Sequence, residues 1–276
     1  MYKKKKSRKK CAALLFAVFL LTVLLTACAG QSAAQRENAE NLPTITVGCD
    51  DYTPFSYRDA DGNMTGVDVE LAEEAFRRMG YHAEFTIINW EEKKSLLESG
   101  AIDCIWSCYT MDGREQEYQW AGPYMKSHQV VAVNADSDIQ TLQDLKDKVV
   151  AVQSTTKPED IIRSHDGTLP ELQEVISVQK RNLIFLLLSK GYVDAIAAHD
   201  TAIEEFMAES GLDFRILDEP LQTVGLGVAF DKNDTRKLNE SLNAVLREMY
   251  ADGTTAQIIG RYFPDTDRYL GGIYED

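Results

Sequence analysis

Four positions in this 276-residue chain carry residue types that can hold a small charged molecule. Arg114 has a planar guanidinium, which binds a carboxylate through two parallel charge-assisted hydrogen bonds. Asp200 could accept the opposite, cationic group, and Tyr52 offers an aromatic face. The turn at 154–156 offers hydroxyls and backbone N–H groups that suit an anion, because Pro158 marks the first helical turn after it. Together these groups are the complement of a zwitterion.

Each of these residues also has an ordinary structural interpretation. Arg114 could pair on the surface with Glu115 or Glu117. Asp200 could cap the helix that follows it, and Thr156 could do the same for its own helix. The spacing leaves both interpretations open at each position, so the case for a binding site depends on whether the fold brings the residues together.

The candidate residues follow strand-like segments. Tyr52 comes shortly after a buried run at 44–49, and Arg114 comes after a second run at 102–107. Helical patterns separate such runs, and Asp68 is the expected N-cap of the first helix. Strands that alternate with helices predict a largely parallel sheet in an α/β fold. Ligands of such sheets bind beyond the carboxyl ends of the strands, where the candidate residues fall.

One stretch of the chain is nearly repeated. Residues 96–105 (LLESGAIDCI) and 187–196 (LLSKGYVDAI) share Leu, Leu, Gly, a branched residue, Asp and Ile at a constant offset of 91. Two similar α/β lobes are the simplest explanation of such a repeat.

Two strand-like segments lack helices of their own, at 128–134 and 223–230. They are the natural crossovers between the lobes. This organisation predicts a two-stranded hinge with a ligand cleft between the lobes. Lobe one is expected to comprise residues 43–130 plus 225–276, and lobe two residues 131–224.

The charge of the chain excludes a class of partner. Its 44 acidic residues exceed its 29 basic residues, for a net charge of −15, and seven of the basic residues lie in the first ten positions. Without residues 1–27 the charge is −15 − 7 = −22. Proteins that bind nucleic acid need a surplus of Lys and Arg to displace counterions, so no nucleic-acid partner is expected.

The N-terminus is typical of an exported lipoprotein. Residues 1–10 are basic, and the 17 residues Cys11 to Ala27 are apolar but short for a membrane span of about 20 residues. Residues 25–28 (LTAC) resemble a bacterial lipobox, which predicts a signal peptide at 1–27, a lipidated Cys28 and a flexible tether at 28–42. The alternative, an uncleaved anchor helix, also leaves the body of the protein outside the cytoplasm.

Three cysteines remain in the body, namely Cys49, Cys104 and Cys108. If Cys104 and Cys108 share a strand, roughly 13 Å separates them, too far for a disulfide. Two interpretations stay open: a disulfide bridge between Cys49 and Cys108, or three buried free thiols. The histidines are scattered without zinc-site spacing, so we expect neither a metal nor a cofactor.

From about residue 43 to 264 the chain resembles the family-3 extracellular solute-binding proteins, the amino-acid receptors of ABC importers, which have the type II periplasmic-binding fold. Several segments carry the resemblance in order and spacing: VGCDDYTPFSY, GNMTGVDVELAEEAFRRMGY, GAIDCIWSCYTMDGRE, WAGPYM, LKDKVVAVQSTT, GYVDAIAAHD and ADGTTAQIIGRYF.

The resemblance implies a role for each matching residue. Arg114 would hold the ligand α-carboxylate, helped by Thr110 and by backbone N–H groups near Thr156. Asp200 and the carbonyl of Cys108 would hold the α-ammonium group.

Other residues would shape the pocket for the ligand side chain. Tyr52 and Trp106 are implied by the resemblance, and Asp50 with Asp51 could favour a basic side chain or simply form a turn. The family usually has a Gly where this chain has Cys108. It also has one more residue before the position that corresponds to Arg114, so the pocket departs from the family pattern.

The resemblance implies a receptor with defined partners. These are a free amino acid, the permease of an ABC transporter, and the membrane to which Cys28 attaches a monomer. An enzyme on the same fold, similar to periplasmic dehydratases, is one alternative, in which Asp200 is the only obvious cleft acid. A ligand-sensing module is another.

Overall fold

A computed structural model describes residues 42–164, 167 and 169–274. The predicted signal peptide, Cys28 and nearly all of the predicted tether lie outside the described residues. In chain order the strands are β1 (Thr44–Cys49), β2 (Tyr57–Arg58), β3 (Met64–Thr65), β4 (His82–Ile87), β5 (Cys104–Thr110), β6 (Gln119–Asn134), β7 (Val149–Gln153), β8 (Glu174–Val178), β9 (Ala195–His199), β10 (Phe214–Ile216) and β11 (Gln222–Phe230).

Helices alternate with these strands. They are α1 (Val67–Arg78), α2 (Lys93–Glu98), α3 (Lys157–Ser164), α4 (Arg181–Ser189), α5 (Asp200–Ser210), α6 (Leu238–Ala251), α7 (Thr254–Ile259) and α8 (Thr266–Leu270). Two short 3₁₀ helices occupy Trp90–Glu92 and Leu142–Leu145. No helix in the described part of the chain has the length and apolar character that a membrane span requires.

The main sheet has the strand order β4-β1-β5-β11-β6-β9-β7-β8, with β10 beside β6. Each end of the sheet is parallel, because β1 pairs in parallel with β4 and β5, and β7 pairs in parallel with β8 and β9. The predicted α/β fold with two similar parts is therefore correct. We call the part with β1, β4, β5 and β11 lobe one, and the part with β7, β8, β9 and β10 lobe two.

Strands β6 and β11 form the middle of the sheet, where the two crossovers were predicted. They pair with each other antiparallel from Gln119 to Gln129 on the β6 side. Beyond that point β6 pairs with β9, and Gln129 contacts both neighbours. One continuous strand thus runs from lobe one into lobe two.

The first helix differs from its predicted start. Gly66 precedes α1 with a φ of 122°, a conformation that glycine adopts without the steric cost of a Cβ. Asp68 is not the N-cap but lies inside the first turn, 1% exposed. Its carboxylate accepts hydrogen bonds from Cys108 N at 2.6 Å and from the Tyr124 hydroxyl at 2.7 Å. Asp68 therefore ties α1 to the end of β5.

The three cysteines of the body are free and buried. Cys104 and Cys108 share β5, which extends beyond the predicted run at 102–107, and every residue of that strand is buried. Of the two open interpretations, the structure has three buried thiols rather than a Cys49–Cys108 bridge.

Candidate functional site

A cavity lies between the two lobes. Its empty space is about 450 Å³, part of which is open to solvent. The part of its lining that comes from lobe one, the lobe-one wall, consists of Tyr52, Trp90, Ser107, Cys108, Tyr109, Thr110 and Arg114. The part from lobe two, the lobe-two wall, consists of Gln153, Thr156, Lys157, Pro158, Arg181, Ile184, Ala197, Ala198 and His199.

The lobe-one wall is built from the end of β5 and the turn after it. Cys108 has a φ of 48°, in the left-handed region, where a glycine would cost less. The turn closes through a hydrogen bond from Arg114 N to Met111 O at 2.9 Å. Gly113 has a φ of 78°, and a Cβ there would lie 3.0 Å from Lys157 Nζ of the opposite wall. The turn therefore sets Arg114 close to lobe two.

Arg114 is the buried cation of the lobe-one wall, only 8% exposed. Its Nη2 donates to Asp160 of lobe two at 2.5 Å, and its Nη1 donates to the Thr110 carbonyl at 3.4 Å. The guanidinium also lies 5.2 Å from the centre of the Tyr109 ring. Arg114 thus lines the cavity instead of pairing with Glu115 or Glu117 on the surface.

Three polar atoms on the cavity-lining residues have no hydrogen-bond partner among the described residues, although each is buried. They are Tyr52 Oη, Trp90 Nε1 and Gln153 Oε1. Burying a polar group without a partner costs about 1 to 3 kcal/mol. Trp90 Nε1 and Gln153 Oε1 are therefore candidate hydrogen-bond partners for a ligand, whereas the Tyr52 hydroxyl lies within reach of the Cys108 thiol.

The lobe-two wall contains Thr156, as predicted. It also contains three basic or imidazole side chains that the sequence did not single out, namely Lys157, Arg181 and His199. Lys157 is the first residue of α3, and Arg181 is the first residue of α4. The Arg181 guanidinium lies 3.2 Å from the centre of the Tyr52 ring, a cation–π contact across the cavity. Thr156 donates from Oγ1 to Gln153 O at 2.6 Å.

Asp200 is absent from the residues that line the cavity, contrary to its predicted place there. The side chain is 1% exposed and its Oδ2 pairs with Arg268 at 2.5 Å and His128 at 3.0 Å. Its Oδ1 accepts from Ser127 Oγ at 3.3 Å and from Thr201 N at 2.9 Å. The carboxylate is turned away because its protein partners already satisfy it.

His199 takes the place on the wall that Asp200 was predicted to fill. Burial lowers the pKa of His199 far below its ordinary value, so the ring is neutral near pH 7. Gln129 Nε2 donates to His199 Nε2 at 2.9 Å, which leaves Nδ1 to donate to Ser127 Oγ at 2.8 Å. This tautomer follows from the hydrogen bonds. The wall therefore carries an uncharged ring here.

Two further predicted residues lie outside the lining. Trp106 packs inside lobe one against Phe76 and Tyr124, with ring centres 5.9 and 5.5 Å apart, because it precedes the carboxyl end of β5, where the lining residues 107–110 lie. Asp50 lies beside the cavity, where its Oδ2 accepts from Gln153 Nε2 at 3.0 Å and from Arg181 Nη2 at 2.9 Å. It bridges the lobes through protein groups.

Most of the described chain matches a known protein family. Residues 45–265 match the family model for bacterial extracellular solute-binding proteins, family 3. The chain is a member of that family. The resemblance seen in its motifs is confirmed over most of its length.

Two relatives of this solute-binding protein differ in the ligand that their names give. The glutamate-binding protein GluB of Corynebacterium glutamicum is 28% identical over 92% of this chain and 90% of its own. The histidine-binding periplasmic protein of Salmonella typhimurium is 32% identical over 82% of this chain and 90% of its own.

A solved structure of an ancestral arginine-binding protein with bound arginine has a similar fold. It superposes with a TM-score of 0.72 at 26% identity and covers 80% of this chain and 98% of its own. The similar proteins named here thus bind both acidic and basic amino acids.

Hydrogen bonds hold the lobes of the solute-binding protein together around the cavity. Lys93 Nζ donates to the Thr155 carbonyl at 3.1 Å and to its hydroxyl at 2.9 Å. Glu91 accepts from Ser154 Oγ at 2.8 Å and from Gln179 Nε2 at 2.5 Å. The conformation is therefore a closed one.

Several residues of the solute-binding protein escaped the sequence analysis. Lys157 directly follows the turn at 154–156, so its position next to a candidate anion site was an available signal. Arg181 and His199 offered a weaker signal, since each is a basic or imidazole side chain at or just after the end of a strand. Gln153 and Trp90 offered none, because polar and aromatic residues at strand ends are common.

Proposed function

We propose that this protein is the amino-acid-binding component of an ABC importer, which captures a free amino acid between its lobes and delivers it to the permease. The observation that carries this proposal is the buried guanidinium of Arg114 on the wall of the cavity. A buried Arg is suited to the α-carboxylate that all amino acids share. The family and the names of both relatives support the same function.

Capture follows from hinge closure in this proposal. We propose that lobe one comprises residues 43–130 and 225–276, that lobe two comprises 131–224, and that β6 and β11 form the hinge. A ligand that touches both walls binds the closed form more tightly than the open one, so it shifts the equilibrium toward closure. The closed form is then the one that the permease recognises.

The ligand contacts divide between the walls. Arg114 holds the α-carboxylate, with Thr110 beside it and the backbone N–H groups near Thr156 opposite. The carbonyl of Cys108 and the free acceptor Gln153 Oε1 are the groups that remain for the ammonium, since Asp200 is engaged by Arg268.

Export and anchoring complete the proposal. The lipobox-like residues 25–28 support cleavage before Cys28, lipidation of that cysteine, and attachment of a monomer to the outer face of the membrane. The segment 28–42 then serves as the tether. Family membership supports an extracytoplasmic location.

The proposed activity is binding without turnover. Asp200, the acid on which the enzyme alternative depended, lies off the cavity wall and is paired with Arg268. His199 is neutral and has both ring nitrogens engaged. The lining thus offers no carboxylic acid for general acid–base catalysis among the described residues.

Isothermal titration tests this function. The purified protein is unfolded and refolded to remove carried-over ligand, then titrated with the standard amino acids, cystine, ornithine and prephenate. Tight binding of one or a few amino acids without product formation is expected. Absence of binding heat with every amino acid, or the slow heat flow of turnover with prephenate, would contradict the proposal.

A further inference from the structure

The charged side chains on the cavity walls are all cationic. Arg114, Lys157 and Arg181 line the cavity, and its described lining residues include no Asp or Glu. The neutral ring of His199 stands where a carboxylate was predicted. A ligand with a cationic side chain would therefore meet like charges on both walls, which disfavours its binding.

Two of the three cations have carboxylate partners, and these partners differ in how firmly they are held. Asp50 pairs with Arg181 at 2.9 Å, with side chains 16% and 11% exposed, so this pair is retained when a ligand enters. Asp160 pairs with Arg114, but its side chain is 53% exposed. Water can solvate the Asp160 carboxylate when a ligand carboxylate takes its place on Arg114, because the Asp160 side of the pair is exposed and the buried Arg114 keeps a carboxylate partner.

Lys157 is the remaining cation. Its Nζ lies against the turn that leads to Arg114, at 3.0 Å from the position of a Cβ on Gly113. Lys157 forms no ion pair among the described residues, unlike its neighbours Asp160 and Arg163. Its charge only adds to the backbone hydrogen bonds that lower the pKa of the exposed Glu115. A ligand that neutralises both Arg114 and Lys157 must bring two negative charges.

We infer that the ligand is a dicarboxylic amino acid and that Lys157 is the residue that selects its second carboxylate. This inference rests on the proposed amino-acid-binding function. Arg114 takes one carboxylate and Lys157 the other. The unpartnered donor Trp90 Nε1 also suits a carboxylate oxygen. Asp50 does not favour a basic ligand, since Arg181 already neutralises it.

Titration of the refolded full chain with matched ligands tests the inference. We expect L-glutamate or L-aspartate to bind at least about tenfold more tightly than L-glutamine, L-arginine and L-histidine. Tighter binding of any of these three would overturn the inference and leave the amino-acid function standing. Binding of glutarate alone, or of none of these ligands or the other amino acids, would overturn the function and the inference with it.

A lysine variant tests the selecting residue. Lys157→Gln should weaken binding of the preferred acidic amino acid about tenfold and change glutamine binding by less than about twofold. Lys190→Gln removes the same charge from an exposed site after α4, and should leave both affinities unchanged. An equal loss in the two variants, or no loss in Lys157→Gln, would overturn the role of Lys157.

Discussion

The two lobes each carry a buried charged residue just after a strand, but only one of these residues lines the cavity. Each of them follows a strand of the main sheet, Arg114 after β5 and Asp200 after β9. Arg114 lines the cavity, where its main partner is the exposed Asp160. Asp200 faces away from the cavity, and its partners are Arg268, His128 and Ser127.

This difference shows that a buried charge serves a ligand only where the protein leaves it incompletely paired. Little free energy is lost when a ligand carboxylate replaces Asp160 on Arg114, because water solvates the exposed Asp160 carboxylate. Asp200 would have to leave a buried network before it could accept an ammonium group, and that exchange is costly. Four predictions test the distinction, from the largest expected effect to the smallest.

Removal of the Arg114 guanidinium should have the largest effect on binding. Arg114→Ala leaves the ligand carboxylate desolvated without its partner, so the binding free energy should weaken by about 2 to 5 kcal/mol. Isothermal titration measures the loss. Arg163→Ala removes an Arg of lobe two whose side chain is 52% exposed, and binding should not change. Equal affinities of Arg114→Ala and the unaltered protein would place the ligand elsewhere.

Asp68, which supports the lobe-one wall, should make stability depend on pH. Burial raises the pKa of Asp68 to about 7 from the ordinary 3.8, with hydrogen bonds from Tyr124 and Cys108 opposing the shift. The folded state therefore holds a proton that the unfolded state releases. Stability should fall as pH rises from about 4 to about 7, by about 1.4 kcal/mol per pH unit over most of that range, and then level off.

Urea unfolding at several pH values measures this dependence. Asp68→Asn should remove most of it, because the amide does not titrate. Glu74→Gln, which alters an ion-paired carboxylate elsewhere on α1, should retain it. A variant Asp68→Asn with the full original pH dependence would show that another group is responsible.

The Asp200 network should matter for stability more than for affinity. Arg268→Met leaves the buried Asp200 carboxylate with weaker compensation, and should destabilise the fold by about 1 to 3 kcal/mol. The Arg268 side chain is 39% exposed, so solvent moderates the loss. Chemical denaturation measures the change, and ligand affinity should shift by less than about threefold.

Arg261→Met is the matched control, since Arg261 is 54% exposed and pairs with Glu70 on the surface. It should change stability little. If Asp200→Asn remains folded but loses amino-acid binding, Asp200 contacts the ligand after all and the comparison of the two walls fails.

Contacts at the rim of the cleft should have the smallest effect. Glu91 accepts hydrogen bonds from Ser154 and Gln179 across the lobes, so Glu91→Ala should disfavour closure and weaken affinity by about 0.5 to 1.5 kcal/mol. Titration measures it. Glu92→Ala removes a neighbouring carboxylate whose one side-chain hydrogen bond among the described residues comes from Asn89 in the same lobe, and should be neutral. A larger loss in Glu92→Ala would argue against the closed arrangement.

The sequence predicted lobe one of the site better than lobe two. Tyr52, Cys108, Thr110 and Arg114 all line the cavity, because they lie within a few residues of strand ends whose direction the apolar runs indicate. Trp106 does not line the cavity, because it lies before the carboxyl end of β5 and packs against Tyr124 inside lobe one.

On lobe two the sequence identified Thr156 but missed Lys157, Arg181 and His199. The exchange of Asp200 for His199 is a shift of one residue at the junction of β9 and α5. No local pattern could reveal it, because the partner that draws Asp200 aside, Arg268, is 68 residues further along the chain.

The sequence by itself determined the family, the α/β fold, the repeat and the two crossovers, because hydrophobic periodicity and residue spacing are local properties that survive without neighbours. Only the tertiary structure decided which charges face the cavity. Orientation of a buried charge depends on the balance of all its partners, and those partners come from distant elements: Asp160 for Arg114, Asp50 for Arg181, and Arg268 for Asp200.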